Sequence, residues 1–404
     1  MKKMKLNFKL VFLALTFGAT TLFGQTTVTN TANSKYQFTE IARLGNTPVL
    51  SQGMTGTCWS FSTISFFESE LMRMGMKDVP RLSEMYIARK AYEDKAEKYI
   101  RMDGKVNFGQ GGEFHDIPYI MNKYGIVPQE VYTGLVDGEK TYNHDEMFSI
   151  LEGTVKAIVA RAASGKTISE DWKKGFDATL DAYIGKDPKT FTYNGKEYTP
   201  KSFFESLHLN LDDYMSFTSF TNYELNKPCI LEIPDNWLSR QSYNVSLDDL
   251  FNITVEALKN GYTVAWGSDV SEKGFSFKNG IAVAPVDPST ITVKGKDNKN
   301  FSDAGADRTS NAFLEPVTEV TVTPELRQKG FDNKSTTDDH GMHIVGLYKD
   351  QTGKLFFLVK NSWGTSNYPQ GYLFVSENYF KLKTIGIYVN KGGVPKAILK
   401  KIGK

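Results

Sequence analysis

The stretch SQGMTGTCWSFSTISFFESELMRMG, residues 51–75, constrains the fold more than any other part of the chain. Apolar residues at Ile64, Phe67, Leu71 and Met74 recur at i, i+3, i+7 and i+10, one stripe of a helix, and Gly75 is a suitable stop just beyond it. Ahead of the stripe, small residues Gly53, Thr55, Gly56 and Thr57 lead into Cys58. Cys58 is therefore expected at a helix N-terminus, where unpaired backbone N–H groups and the macrodipole favour an anion such as a thiolate. The same N–H groups face any oxyanion that forms beside the sulfur, and the amide of Gln52 is near enough in sequence to add a second donor. A cysteine followed by aromatic residues is also how a buried small hydrophobe looks. The segment alone leaves both readings open, and a base with something to orient it must come from elsewhere.

The remaining chain bounds the setting. With 404 residues it can bury a large core. Residues 1–24 carry lysines at 2, 3, 5 and 9, then an apolar run from Leu10 to Phe17, then small residues. This pattern predicts a secretory signal peptide cleaved near Gly24 and Gln25, hence an exported protein, periplasmic or secreted. The run is too short to span a bilayer, so no stable membrane association is expected after cleavage. Losing four lysines and no acids takes the formal charge from +2 to −2, which gives no electrostatic case for nucleic acid. An exported chain with two cysteines is not a disulfide scaffold. Cys229, in the strand-like KPCILEI, is expected in the core; a bridge between it and Cys58 would remove the nucleophile.

Taken in order, residues 25–34 are a polar lead-in, and Leu82–Arg101 has helical spacing with Ser83 as its cap. In FGQGGEFHDIPYIMNKYGIVP, Gly111 and Gly112 precede a helix that stops near Gly125. A glycine pair lets another backbone approach closely, as a peptide substrate needs. His115 is placed on the exposed first turn of that helix, and His144 and His208 on the surface. Helices are expected over 145–164, over 171–184, and over 247–259 behind a Ser246 cap, with a polar stretch at 185–200, strands at 229–233 and 262–266, and a loop at 286–310. From residue 340, HGMHIVGLY, LFFLVKNSW and GYLFVS are three β-rich runs separated by turn residues, an antiparallel sheet in which His340 opens the first strand and Asn361 ends the second.

Cysteine, histidine and asparagine far apart in sequence suit the triad logic in which the third group fixes the imidazole tautomer. Gln52, Gly56-Thr57-Cys58-Trp59, Gly111-Gly112, Asp339-His340-Gly341 and Lys360-Asn361-Ser362-Trp363-Gly364 resemble, in order, the motifs of papain-like cysteine peptidases. The LSEMYIARKAY and ALKNGYTVAWGSDV segments, with the long insertion between Gly125 and His340, resemble the bleomycin hydrolase or aminopeptidase C branch. The resemblance implies an α+β, two-lobed fold: a helical lobe led by the Cys58 helix and an antiparallel β lobe carrying His340 and Asn361. Within one domain, 25–404, residues 135–330 are expected to be an elaborating insertion.

It further implies Cys58 as nucleophile, His340 as base and then acid, Asn361 as its orienter, Gln52 in the oxyanion hole, Gly111 and Gly112 against substrate, and Trp59 and Trp363 as supports. A helix N-terminus and a neighbouring imidazolium both lower a thiol pKa, so a resting thiolate–imidazolium pair is expected. His343 is a rival base, but strand alternation sends 340 and 343 to opposite faces, and the DHG pattern selects His340. The partners implied are peptide substrates, with no metal or organic cofactor. The resembled branch forms hexamers and sends a C-terminal arm into its own cleft. This chain ends at VPKAILKKIGK, short of such an arm, so three readings stand: exported aminopeptidase, endopeptidase on the same centre, and silent peptide-binding protein.

Overall fold

The computed structural model describes residues 27–294 and 307–404. The signal peptide expected over residues 1–24, and part of the loop expected over 286–310, lie outside the described residues.

Helix α1 (Cys58–Arg73) runs through the middle of the molecule with only its two ends less than fully buried. Its first turn is set by the carbonyl of Thr57, which accepts from the N–H groups of Ser60 and Phe61. Its last turn is closed by Met74 and by Gly75, whose φ of 89° suits glycine. Ile64, Phe67 and Leu71 are fully buried along the expected stripe, whereas Met74, at its end, is 45% exposed.

On one side of α1 lie α2 (Glu84–Arg101), α3 (Asp116–Tyr124), α4 (Asp145–Ala163) and α5 (Asp171–Ile184). The Ser83 hydroxyl caps α2 by accepting from the Tyr86 N–H at 3.0 Å, and it donates to the Tyr132 carbonyl at 2.6 Å. Phe66, Tyr86, Tyr92, Met147, Leu151 and Phe176 belong to the core of this helical lobe. Each fully buried side chain of this size stabilises by roughly 1.5–3 kcal/mol, several times a capping bond's net contribution, so packing decides where the helices sit.

On the other side of α1 is the sheet. The expected runs form strands His340–Lys349, Leu355–Lys360 and Tyr372–Ser376, paired antiparallel, with His343 opposite Lys360. Twelve strands join this sheet among the described residues, and two pairings are parallel, so the β lobe is mixed and not wholly antiparallel. Val264–Ser268, from within 135–330, lies between His340–Lys349 and Thr384–Asn390. Helix α6 (Pro200–Ser206) precedes these strands, and α7 (Leu247–Lys259), capped by Ser246, packs its apolar face into the second core with Trp266, Met342, Ile344 and Phe357.

The polar 185–200 stretch holds a hairpin, Phe191–Tyr193 with Lys196–Tyr198, turned by Asn194-Gly195 at φ 48° and 74°. An Asn-Gly pair with both φ positive matches the twist of two antiparallel strands. Several expectations need correction. Cys229 is not in the core: its strand, Lys227–Ile230, lies at the edge of the sheet, where Cys229 is half-buried and Ile230 is exposed. His144 is 1% exposed against Tyr92, and the His115 side chain is 11% exposed, so neither is a surface residue.

Candidate active site

Three chain segments meet at the N-terminus of α1. Cys58 is the first residue of the helix, and the backbone N–H of Gly341, directly after His340, reaches its sulfur. The His340 ring meets Asn361 through Nε2 and Oδ1, 2.7 Å apart. The Asn361 Oδ1 also accepts the Ser362 N–H at 2.7 Å, which identifies this atom as the oxygen. The His340 Nε2 must therefore be the donor, and in the neutral ring Nδ1 is left as an acceptor. The Trp363 indole lies over the His340 ring with centroids 4.6 Å apart, and Phe275 and Phe277 pack against the indole in turn.

Gln52 is 1% exposed and clamped at both ends. Its Oε1 accepts from the Ser362 hydroxyl at 2.6 Å and its Nε2 donates to the Thr55 carbonyl at 2.7 Å. A primary amide has two N–H groups, so this geometry leaves one to donate elsewhere. The Gln52 N–H also donates to the Ser362 carbonyl at 2.8 Å, so the loop before Cys58 is joined to the loop after Asn361.

The glycine pair has a structural reason of its own. A Cβ on Gly111 would fall 1.9 Å from the Asp235 carboxylate, and one on Gly112 would fall 3.0 Å from the Trp59 indole. Trp59 is held by a bond from Nε1 to the Gln110 carbonyl at 3.0 Å, and Lys95 donates to the carbonyls of Gly109 and Gly111. The space above Gly111 thus belongs to Asp235, a residue the sequence motifs did not single out.

Charge around the thiol differs from what the helix N-terminus alone suggests. Burial pushes the Cys58 thiol up to about 12; the N–H groups of Gly341 and Trp59 pull it down, and Asp235 and Asp338 raise it further. Burial pushes His340 down to about 4, opposed by its bond to Asn361. Among the described residues no direct hydrogen bond joins the thiol to the imidazole. Burial thus works against the expected resting ion pair, while the N–H groups of Gly341 and Trp59 at the N-terminus of α1 work for it. Glu113 and Asp338 are both held well above the carboxylate range, first by burial, then Glu113 by Asp338, Asp116 and Asp235, and Asp338 by Asp235 and Asp339. These acids come from three distant segments, and nothing in their local spacing marks them as one group.

His343 faces the other way. It is fully buried, pairs through Nδ1 with the Ser65 hydroxyl at 2.9 Å, and packs edge-on against Phe66. The strand alternation that separates it from His340 holds.

Comparison with known proteins gives a consistent picture. The model of the peptidase C1-like family matches residues 13–287 and 315–404. Aminopeptidase C of Lactobacillus delbrueckii subsp. lactis is 24% identical over 396 residues, covering 87% of this chain and 81% of that protein. Bleomycin hydrolase of Rattus norvegicus is 23% identical over 419 residues, covering 91% and 85%. Among solved structures, PepW from Lactobacillus rhamnosis superposes with a TM-score of 0.66 at 20% identity, over 90% of this chain and 84% of that one.

Proposed function

We propose, from the premise that this chain belongs to the peptidase C1-like family, that it is a thiol aminopeptidase whose centre is Cys58, His340 and Asn361. The observation that carries the reading is the Asn361–His340 bond at the N-terminus of the Cys58 helix. With Nε2 committed to Asn361, His340 offers Nδ1 as the base. As the sulfur attacks the peptide carbonyl, its proton passes to Nδ1; burial, which raises the thiol and lowers the imidazole, favours forming the charged pair in the course of attack. The oxyanion is met by the remaining Gln52 N–H and the first N–H groups of α1. His340 returns its proton to the leaving amine, the acyl group stays on sulfur, and a water deprotonated by His340 releases it. Trp363 shields the Asn361–His340 bond from water.

The choice of an aminopeptidase over an endopeptidase rests on charge. Asp235 and Asp338 both act on the Cys58 thiol and on Glu113, and burial with mutual repulsion holds Glu113 and Asp338 towards the neutral form; a substrate's free α-ammonium beside them would favour their ionised form, which a neutral internal amide would not. Relatives named aminopeptidase C agree with this choice. Peptides of one sequence with a free and with an acetylated N-terminus decide it: the free form is expected to be cleaved at its first bond and the blocked form left intact. Efficient internal cleavage of the blocked peptide would establish the endopeptidase. A Cys58→Ala variant that kept its activity would remove the nucleophile from the account, and reduced wild type without activity would favour a silent peptide binder.

Export is part of the proposal, on the strength of the lysine-rich, then apolar, first 24 residues. N-terminal sequencing of protein recovered outside the cytoplasm should begin near Gln25, and a retained Met1 would rule cleavage out.

A further inference from the structure

Behind Asn361 lies a small, partly open cavity whose lining includes the polar side chains of Ser65, Glu84, His343, Lys360 and Asn361 beside Leu50 and Phe61. It leaves about 20 Å³ in which the centre of a water molecule fits; roughly 10–15 Å³ suffices for one water. Two of its lining side chains carry a fully buried nitrogen with no hydrogen-bond partner among the described residues: Asn361 Nδ2 and His343 Nε2. The residues are 3% and 0% exposed.

Both nitrogens are donors, as the surrounding bonds show. Lys360 can only donate, and it does so to the hydroxyls of Ser65 at 2.7 Å and Thr47 at 3.1 Å. The Ser65 proton finds its acceptor in His343 Nδ1 at 2.9 Å, since among the described residues no other acceptor bonds that hydroxyl. His343 is kept neutral by burial and by the Lys360 charge, so its remaining proton is on Nε2. Asn361 Oδ1 is identified by the Ser362 N–H, so Nδ2 carries the amide protons. Two buried N–H groups on side chains lining one small cavity call for an acceptor oxygen, because a buried donor left without a partner loses its water and gains nothing in return.

We propose that this cavity binds one ordered water, which accepts from Asn361 Nδ2 and His343 Nε2 and donates to the Glu84 carboxyl. His343 is thereby a positioning residue. It fixes the far side of the Asn361 amide, whose near side holds His340. The charged groups around it are Lys360 on the neighbouring strand, Glu68 on α1, Glu84 on α2 and Arg81 just before α2. Without the water the amide is anchored through Oδ1 alone and can twist away from the imidazole.

The inference rests on the catalytic roles proposed above, and its test separates the two. A crystal structure at high resolution, with a second crystal soaked in bromide, reads the cavity with no reference to activity. Density for one oxygen within hydrogen-bond reach of both nitrogens, without bromide signal, supports the site; an empty cavity or bromide in it overturns the water. In kinetics, His343→Leu is expected to lower kcat about tenfold, the equivalent of one ordinary hydrogen bond, with KM within a factor of about two. The acid limb of its kcat/KM profile should shift, since His340 is less firmly held, and His343→Gln, which keeps an N–H donor, should restore most of both. A folded His343→Leu with wild-type kcat and an unmoved pH profile would overturn the positioning role. A Cys58→Ala variant that stayed active would overturn the peptidase mechanism and leave the crystallographic result standing.

Discussion

The strand His340–Lys349 turns two histidines, three residues apart, to opposite sides, and both are buried and depressed in pKa. One meets an amide oxygen and an indole at the mouth of α1; the other meets a serine hydroxyl tied to a buried lysine halfway along the same helix. Burial and residue type are shared, so neither distinguishes the base. What differs is the third group: Asn361 leaves a ring nitrogen of His340 to accept a proton, whereas Ser65 uses up the accepting nitrogen of His343.

The comparison is broken most directly at the base itself. His340→Ala is expected to lower kcat/KM at least about 10⁴-fold, as loss of a triad member does, against the far smaller loss at 343; peptide hydrolysis by the purified variants measures the gap. Comparable losses at the two positions would mean that the base has been misplaced. Next in size is Gln52→Ala, a residue joined to the loop after Asn361 by the bond it accepts from Ser362. Removing one oxyanion donor should reduce kcat about 10²–10³-fold with little change in KM, and a loss confined to KM would assign Gln52 to substrate binding.

The smallest effect sharpens the point that burial alone makes no catalyst. His144 is buried beside Tyr92, and burial lowers its imidazole to about 4, against about 6.5 in an unfolded chain. Because the folded value is the lower one, the unfolded chain binds more protons between those pH values. The stability contributed by neutral His144 is complete above about pH 6.5 and is lost as pH falls towards 4. The gap in Tm between wild type and His144→Phe should therefore narrow from pH 7 to pH 4, with activity at neutral pH retained. A gap independent of pH would mean that His144 titrates as an exposed histidine does.

The parts of the molecule legible in the sequence are those where local chemistry agrees with the final packing. The α1 stripe, the Ser83 and Ser246 caps and the three runs after residue 340 all carry their structural reason within a few residues. His144 misleads because its neighbours in sequence, Asn143 and Asp145, are polar, while its cover comes from Tyr92 on another helix. Cys229 misleads in the opposite sense: its run is apolar, but sheet order puts it on an edge strand. Asp235 was invisible because its importance lies in standing over Gly111, a juxtaposition that no spacing encodes. Ser362 stands within the Lys360–Gly364 motif, yet its own part, a hydroxyl that orients Gln52 from 310 positions away, is likewise encoded by no spacing.

That junction between residues 52 and 362 also sets a timetable. During synthesis the cysteine emerges early, yet neither its oxyanion donor nor its base can be in place until the ribosome has delivered the segment around Asn361 and the two ends of the path have closed on each other. On the roles proposed for Gln52 and His340, the nascent chain is expected to stay inactive until that segment has been made.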